Sequence, residues 1–324
     1  MIPTGSRRLP SGLSFIHARD IRYRDIVVAK GTYPLPVKKN PVPGSDVAGE
    51  ILAVGEEVKG WKVGERVSVN FSLDHIFGDA NDETIASTLG APIDGVLTEY
   101  KIFPAHALVR IPDFLSYEEA STLPCAAVTA YNGLFGGKPT LKGGDTVLIQ
   151  GTGGVSIFGL QNAVASGATV IVTSSSDRKL EAAKKLGAKY LINYKTTPNW
   201  EEEVLKITNG RGVDHVLEVG SPGTVVKSAK AVRFGGNVAL IGFVAGLADT
   251  NQLPLLVHGK GSNLHGVIIG SRQQFEDLIR LIEAVKLKPV VDKVFDFEHV
   301  REAYEYLESQ QHVGKIVIKV SKDQ

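Results

Sequence analysis

The sequence predicts an α/β protein, a doubly wound parallel sheet joined to a smaller β-rich domain. Three observations lead there. From about residue 120 onward, short apolar runs alternate with helical segments, the rhythm of parallel strands linked by crossover helices. Ahead of that point lie short strand-like runs punctuated by glycine and proline, the pattern of a small barrel-like domain. Within the second half, Gln150-Gly151-Thr152-Gly153-Gly154-Val155-Ser156 follows the apolar run Val147-Leu148-Ile149 and precedes a helical stretch. A strand, a tight glycine turn and a helix N-terminus make a pyrophosphate cradle, because free N–H groups point at the phosphates there.

The elements follow in order. Residues 47–54, 65–69 and 98–102 read as strands, and 71–92 is a long polar loop of the kind that is functional or mobile. Ser116 is placed to cap a helix beginning at Tyr117. Strands at 147–150, 169–173, 190–192 and 215–219 each precede a helix (157–165, 178–185, 200–207 and 224–231), and 238–241 closes the series. Gly167 and Gly187 fall where left-handed C-caps are expected. Helices at 274–285 and 300–307 and a strand at 315–320 complete the chain.

Composition narrows the function. The chain has 324 residues, enough for two sizeable cores. Its hydrophobic content of 43%, charged content of 22% and net charge of +1 are those of an ordinary soluble protein, with no electrostatic footprint for nucleic acid. The single cysteine, Cys125, excludes an internal disulfide and a multi-cysteine zinc site. No stretch has the length of a membrane span and no signal peptide is read, so a cytoplasmic protein is expected. Neither HxxxH nor HExxH occurs among the histidines.

Gly44-Ser45-Asp46-Val47-Ala48-Gly49-Glu50, Asp94-Gly95-Val96-Leu97-Thr98-Glu99-Tyr100 and Leu123-Pro124-Cys125-Ala126-Ala127-Val128-Thr129-Ala130-Tyr131 resemble blocks of the medium-chain dehydrogenase/reductase superfamily. Tyr23-Arg24-Asp25, Gly151–Ser156, Thr173-Ser174-Ser175-Ser176 and Gly270-Ser271-Arg272 resemble its zinc-free quinone-oxidoreductase-like and alcohol-dehydrogenase-like members. The resemblance implies a GroES-like substrate domain (1–126 with 269–324), a Rossmann-type domain (127–268) and a homodimer paired near 264–269. It also implies a further strand pair ahead of Leu13, so the start reads as truncated or mis-assigned, with an open sheet edge beside it. The zinc-dependent branch places a cysteine, a histidine and a second cysteine around its metal. The matching positions here are Arg22, Ser45 and Cys125, so no zinc is expected.

Folds of this kind that prefer NAD end their second strand in a carboxylate. Here Ser174 and Ser175 stand there, with Arg178 and Lys179 a turn beyond, so NADP(H) is expected over NAD(H). Asp177 keeps NADH open, and Arg178 and Lys179 also read as solvated helix charges. By resemblance, Tyr194 lies near the adenosine. The nucleotide contacts expected are Thr129, Gly151, Thr152, Gly153, Gly154, Val155, Ser174, Ser175, Arg178, Lys179, Tyr194, Gly220, Gly242, Phe243, Val244, Val267, Ile268 and Ile269. The run 267–269 also reads as an ordinary buried strand.

Oxidising an unactivated alcohol needs a metal or a strong base. Reducing an enone or quinone needs only a hydride and a donor for the developing oxyanion. The expected reaction is reduction of an activated C=C, a quinone or a carbonyl. Arg22, Tyr23 and Thr129 are the catalytic candidates: Arg22 to polarise a carbonyl or bind an acidic substrate, or else to pair with Asp25 or Asp46. A second reading keeps the fold and the cofactor with a non-redox, structural or regulatory role.

Overall fold

The computed structural model describes residues 11–242 and 248–320. The chain opens with β1 (Ser11–Ile21), β2 (Asp46–Val54), β3 (Arg66–Val69), β4 (Tyr100–Pro104) and β5 (Leu108–Arg110). It continues through β6 (Thr146–Gln150), β7 (Thr169–Ser174), β8 (Tyr190–Asn193), β9 (Val213–Glu218), β10 (Val232–Leu240) and β11 (Asn263–Gly266). It then returns to the first sheet with β12 (Val291–Asp296) and β13 (Lys315–Lys319).

The first sheet has the order β12-β13-β1-β2-β3-β5, with β4 also on β1. Register shifts at Leu13/Ser14 and Ile16/Ala18 bend β1, so its first half pairs with β4 and its second half with β13. β1 is thus paired along its length, and the open edge expected beside Leu13 is not found there. Ile16, Val47, Ile51, Val67 and Val69 fill the core beneath this sheet.

The second sheet is parallel, in the order β11-β10-β9-β6-β7-β8. Its strands carry helices on both faces, so they read as continuous apolar runs. Val147, Leu148, Ile149, Val170 and Ile171 are fully buried. Each such side chain contributes about 1.5–3 kcal/mol of burial. Strand order reverses between β6 and β9, and ligands bind outside the carboxyl ends of strands at such a switch point.

Residues 117–136 join the sheets as consecutive helical turns, two of which, Leu123–Ala127 and Asn132–Gly136, are π-helical. Ser116 caps this run by accepting from the Glu119 N–H at 3.1 Å, as expected. Gly167 and Gly187 take the expected left-handed conformation. The loop 71–92 contains a short helix, Asp82–Ala86, and pairs with itself through Ser72 and Thr88.

One expectation is corrected. β11 ends at Gly266, and 267–269 is not a strand. Ile268 is exposed, and Ile269 adopts φ +54°, an outlier for a β-branched residue. Among the described residues, no helix is long and apolar enough to cross a membrane.

Candidate active site

Two clusters, one from each sheet, are brought side by side through Lys315 and Gly314. The first lies where β6 turns into the helix Gly154–Ala165. Gly151 adopts φ +73°, which suits glycine, and its N–H donates to Thr173 O at 2.7 Å. Ser156 Oγ donates to Gln150 O at 2.6 Å and closes the turn from within. Nothing stands within 4 Å of the Cβ position of Gly153, so the loop faces open space. These features fit a pyrophosphate.

A buried carboxylate holds the neighbouring strand end. Glu218, at the end of β9, accepts from Gln150 Nε2 (2.7 Å), Ser228 Oγ (2.5 Å), Thr224 Oγ1 (2.6 Å) and the N–H groups of Gly220 and Ser221 (2.8 Å each). Gly220 therefore lies at the switch point, pinned by Glu218. Gly242 approaches so closely that a Cβ would collide with Val219 O. Phe243 and Val244 lie outside the described residues.

At the adenosine end, Ser174 is buried, Ser175 is half-buried, and the Tyr194 N–H donates to Ser174 O at 3.0 Å. Arg178 and Lys179 are turned toward the carbonyls of Gln311 and Gln310. Asp177 accepts from Asn193 Nδ2 at 2.7 Å.

The second cluster is built around Arg22, which follows β1. Its Nη1 donates to Cys125 Sγ, and its Nε lies 3.5 Å from Asp46 Oδ2 and 3.9 Å from Asp25 Oδ1. The guanidinium stacks 4.3 Å from the Phe71 ring centre. The three positions matched to metal ligands thus lie together, with Ser45 Oγ 3.3 Å from Asp46 Oδ2. A guanidinium has no lone pair to give a metal. No group of three histidine, cysteine, aspartate or glutamate side chains suited to a metal ion occurs among the described residues. The donor set does not fit zinc.

Burial disfavours the charge on Arg22, but Cys125, Asp46 and Asp25 outweigh it and hold the guanidinium protonated. Burial pushes the Cys125 thiol up, against the pull of Arg22, so Cys125 is not an activated nucleophile. Asp25 caps the following helix by accepting from the Arg22 N–H at 3.2 Å, a structural role. Tyr23 is 42% exposed. Thr129 is buried one turn beyond Cys125, and its Oγ1 has no hydrogen-bond partner among the described residues. That hydroxyl is free to bond a group placed against it.

Lys315 joins the two clusters. Its Nζ lies 2.5 Å from Asp20 Oδ2 and 3.4 Å from Ile21 O. A Cβ on Gly154 would collide with the Lys315 side chain and stand 3.2 Å from Nζ. Gly314 N donates to Thr152 O at 3.0 Å, tying β13 to the glycine turn.

Sequence reasoning missed three supports of this site: the Gln150–Glu218 network, Lys315, and the clamp on Ile269. In that clamp Asn132 Nδ2 donates to Ile269 O at 2.8 Å, and Gln274 Nε2 donates to Asn132 Oδ1 at 2.7 Å. The Gly270-Ser271-Arg272 motif beside it was the available signal.

Comparison with known proteins identifies the family. Residues 15–113 match the family description "Alcohol dehydrogenase GroES-like domain", and residues 154–284 match "Zinc-binding dehydrogenase". The chain is 49% identical over 309 residues to a zinc-type alcohol dehydrogenase-like protein of Schizosaccharomyces pombe, covering 94% of this chain and 89% of that one. It is 31% identical over 307 residues to an acryloyl-coenzyme A reductase of Metallosphaera sedula, covering 91% and 88%. A crystal structure of an NAD-dependent alcohol dehydrogenase superposes with a TM-score of 0.85 at 30% identity, covering 99% and 95%. The chain therefore belongs to the alcohol-dehydrogenase-like oxidoreductases of the medium-chain dehydrogenase/reductase superfamily.

Proposed function

We propose that the chain is a zinc-independent, NADPH-dependent reductase of an activated C=C, quinone or carbonyl group in a small molecule. The observation that carries this is the Arg22 guanidinium lodged against Cys125, Asp46 and Asp25, where the zinc-dependent relatives hold their metal. The glycine turn 151–154, Gly220 and Gly242 would hold the dinucleotide along the carboxyl ends of β6, β9 and β10. When bound, a reduced nicotinamide supplies a hydride. Thr129 Oγ1 and Arg22 Nη2, both buried and without hydrogen-bond partners among the described residues, donate to the acceptor oxygen as negative charge gathers there. Solvent supplies the proton that completes the product.

Ser174 at the end of β7 favours NADPH, because a carboxylate there would repel the 2′-phosphate. The identity of the acryloyl-coenzyme A reductase supports a conjugated acceptor. A cytoplasmic homodimer is part of the same reading. The test is NADPH consumption by pure protein against a panel of enones, quinones and aldehydes, with and without a chelator. Turnover unchanged by the chelator is expected. Turnover abolished by chelation and restored by zinc would refute the reading.

A further inference from the structure

Arg19 is a buried cation without a counter-charge. It lies in the second half of β1, opposite Val47 on one side and Ile318 on the other. Side chains alternate across a strand, so Arg19 shares a face with Ile21 rather than with Asp20. Ile21 belongs to an apolar cluster with Ile26, Phe295, Ala303 and Ile318, and Leu97 and Tyr304 lean against it. Arg19 is fully buried, and its Nε, Nη1 and Nη2 have no hydrogen-bond partner among the described residues. It forms no ion pair among them either: Asp25 is shared by Arg22 and Arg24, and Asp20 holds Lys315. The contact it keeps is with Phe297, whose ring centre lies 5.7 Å from the guanidinium carbon, near the outer limit of a cation–π attraction.

There is room beside Nη1. Gly44 adopts φ +81°, and a methyl group placed on it would stand 3.6 Å from Nη1, 3.5 Å from Val96 Cγ2 and 3.9 Å from Leu97 N, no closer than ordinary van der Waals contact. Burial pulls the guanidinium down to about 9, against the pull of Tyr304 and Asp25, so it stays charged at neutral pH. A charge taken out of water is costly unless an opposite charge repays it. One charge is unpaired, the space is small, and its walls include Val96 and the Phe297 ring. The missing partner is therefore monovalent and compact.

We propose that Arg19 holds a buried chloride-sized anion between β1, Gly44 and the helix Val300–Glu308, a structural ion of the first sheet. The site stands apart from the nucleotide-binding reading.

The test is thermal unfolding of the full chain at constant ionic strength, with chloride replacing gluconate, an anion too large for the space. The wild-type midpoint should rise with chloride by at least about 2 °C and then saturate, as for any ligand of the folded state. Arg19→Met, similar in length and uncharged, should lose that dependence. In gluconate its midpoint should equal or exceed that of the wild type, because an unpaired buried charge is gone. Bromide soaked into wild-type crystals should give an anomalous peak against the Arg19 guanidinium. A chloride response that survives Arg19→Met overturns the proposal, and so does a wild-type midpoint indifferent to chloride. If removing residues 321–324 then exposes a response, a carboxylate of the chain fills the site in place of a free anion. Should Arg19→Met not fold, the bromide map decides: a peak at Arg19 upholds the anion, and its absence overturns it.

Discussion

Glu218→Gln is expected to loosen the switch point. Glu218 is fully buried and meets only donors: three at Oε1 (Gly220 N, Ser221 N and Thr224 Oγ1) and two at Oε2 (Gln150 Nε2 and Ser228 Oγ). A glutamine oxygen can keep the set of three. Its NH₂ then faces the amide of Gln150 and the hydroxyl of Ser228. The hydroxyl can rotate and accept, but the amide contact becomes donor against donor. A hydrogen bond to a charged acceptor is worth about 1.5–3 kcal/mol, so losing one outright and weakening the others costs about 3 kcal/mol. Urea denaturation followed by fluorescence gives the stability, and nucleotide titration gives the affinity. Both should fall, because Gly220 is held by the same carboxylate. A stability loss below about 1 kcal/mol would show that the donors do not depend on the charge, and would refute the reasoning.

Ser174→Asp should weaken NADPH binding by at least roughly tenfold while leaving NADH within about threefold, measured by titration; equal losses would remove the basis for the cofactor preference. Asn132→Ala removes the bond that holds Ile269 at positive φ and should cost about 1–2 kcal/mol in denaturant, with a raised KM for the acceptor; an unchanged KM would separate the clamp from the site. Burial, with the nearby charges of Lys315 and Lys179, pushes His312 down to about 4, below its usual 6.5. The unfolded chain therefore takes up this proton first, and stability falls as pH drops from about 6.5 to about 4, then levels for this group, a loss of about 3 kcal/mol. His312→Phe should flatten that limb of the stability–pH curve, and an unchanged slope would exclude His312 as its source.

The architecture was legible because its signals are local. The run Val147-Leu148-Ile149 with the glycine turn behind it specifies strand, turn and helix without reference to distant residues. The convergence of Arg22, Ser45 and Cys125 was legible only through resemblance, since these residues are far apart in the chain. Glu218 was hidden because a buried acid within an apolar strand has no periodic signature. Its meaning comes from Gln150, Thr224 and Ser228 on other elements. Lys315 opens the run Lys-Ile-Val-Ile-Lys, which reads as a strand with a solvated end, yet it is buried against Asp20. Residues 267–269 misled because a β-branched run resembles a strand, whereas pairing stops at Gly266 and the chain turns back through Ile269.

Lys315 reaches Ile21 across 294 positions of sequence, and β13 lies between β1 and β12. On the ribosome, the second half of β1 waits for a neighbour made 294 positions later. Until β13 emerges, the nascent chain displays Asp20 without its ammonium and a glycine turn without its brace. The brace on the glycine turn is thus a long-range contact, available only after every strand of the parallel sheet has been made.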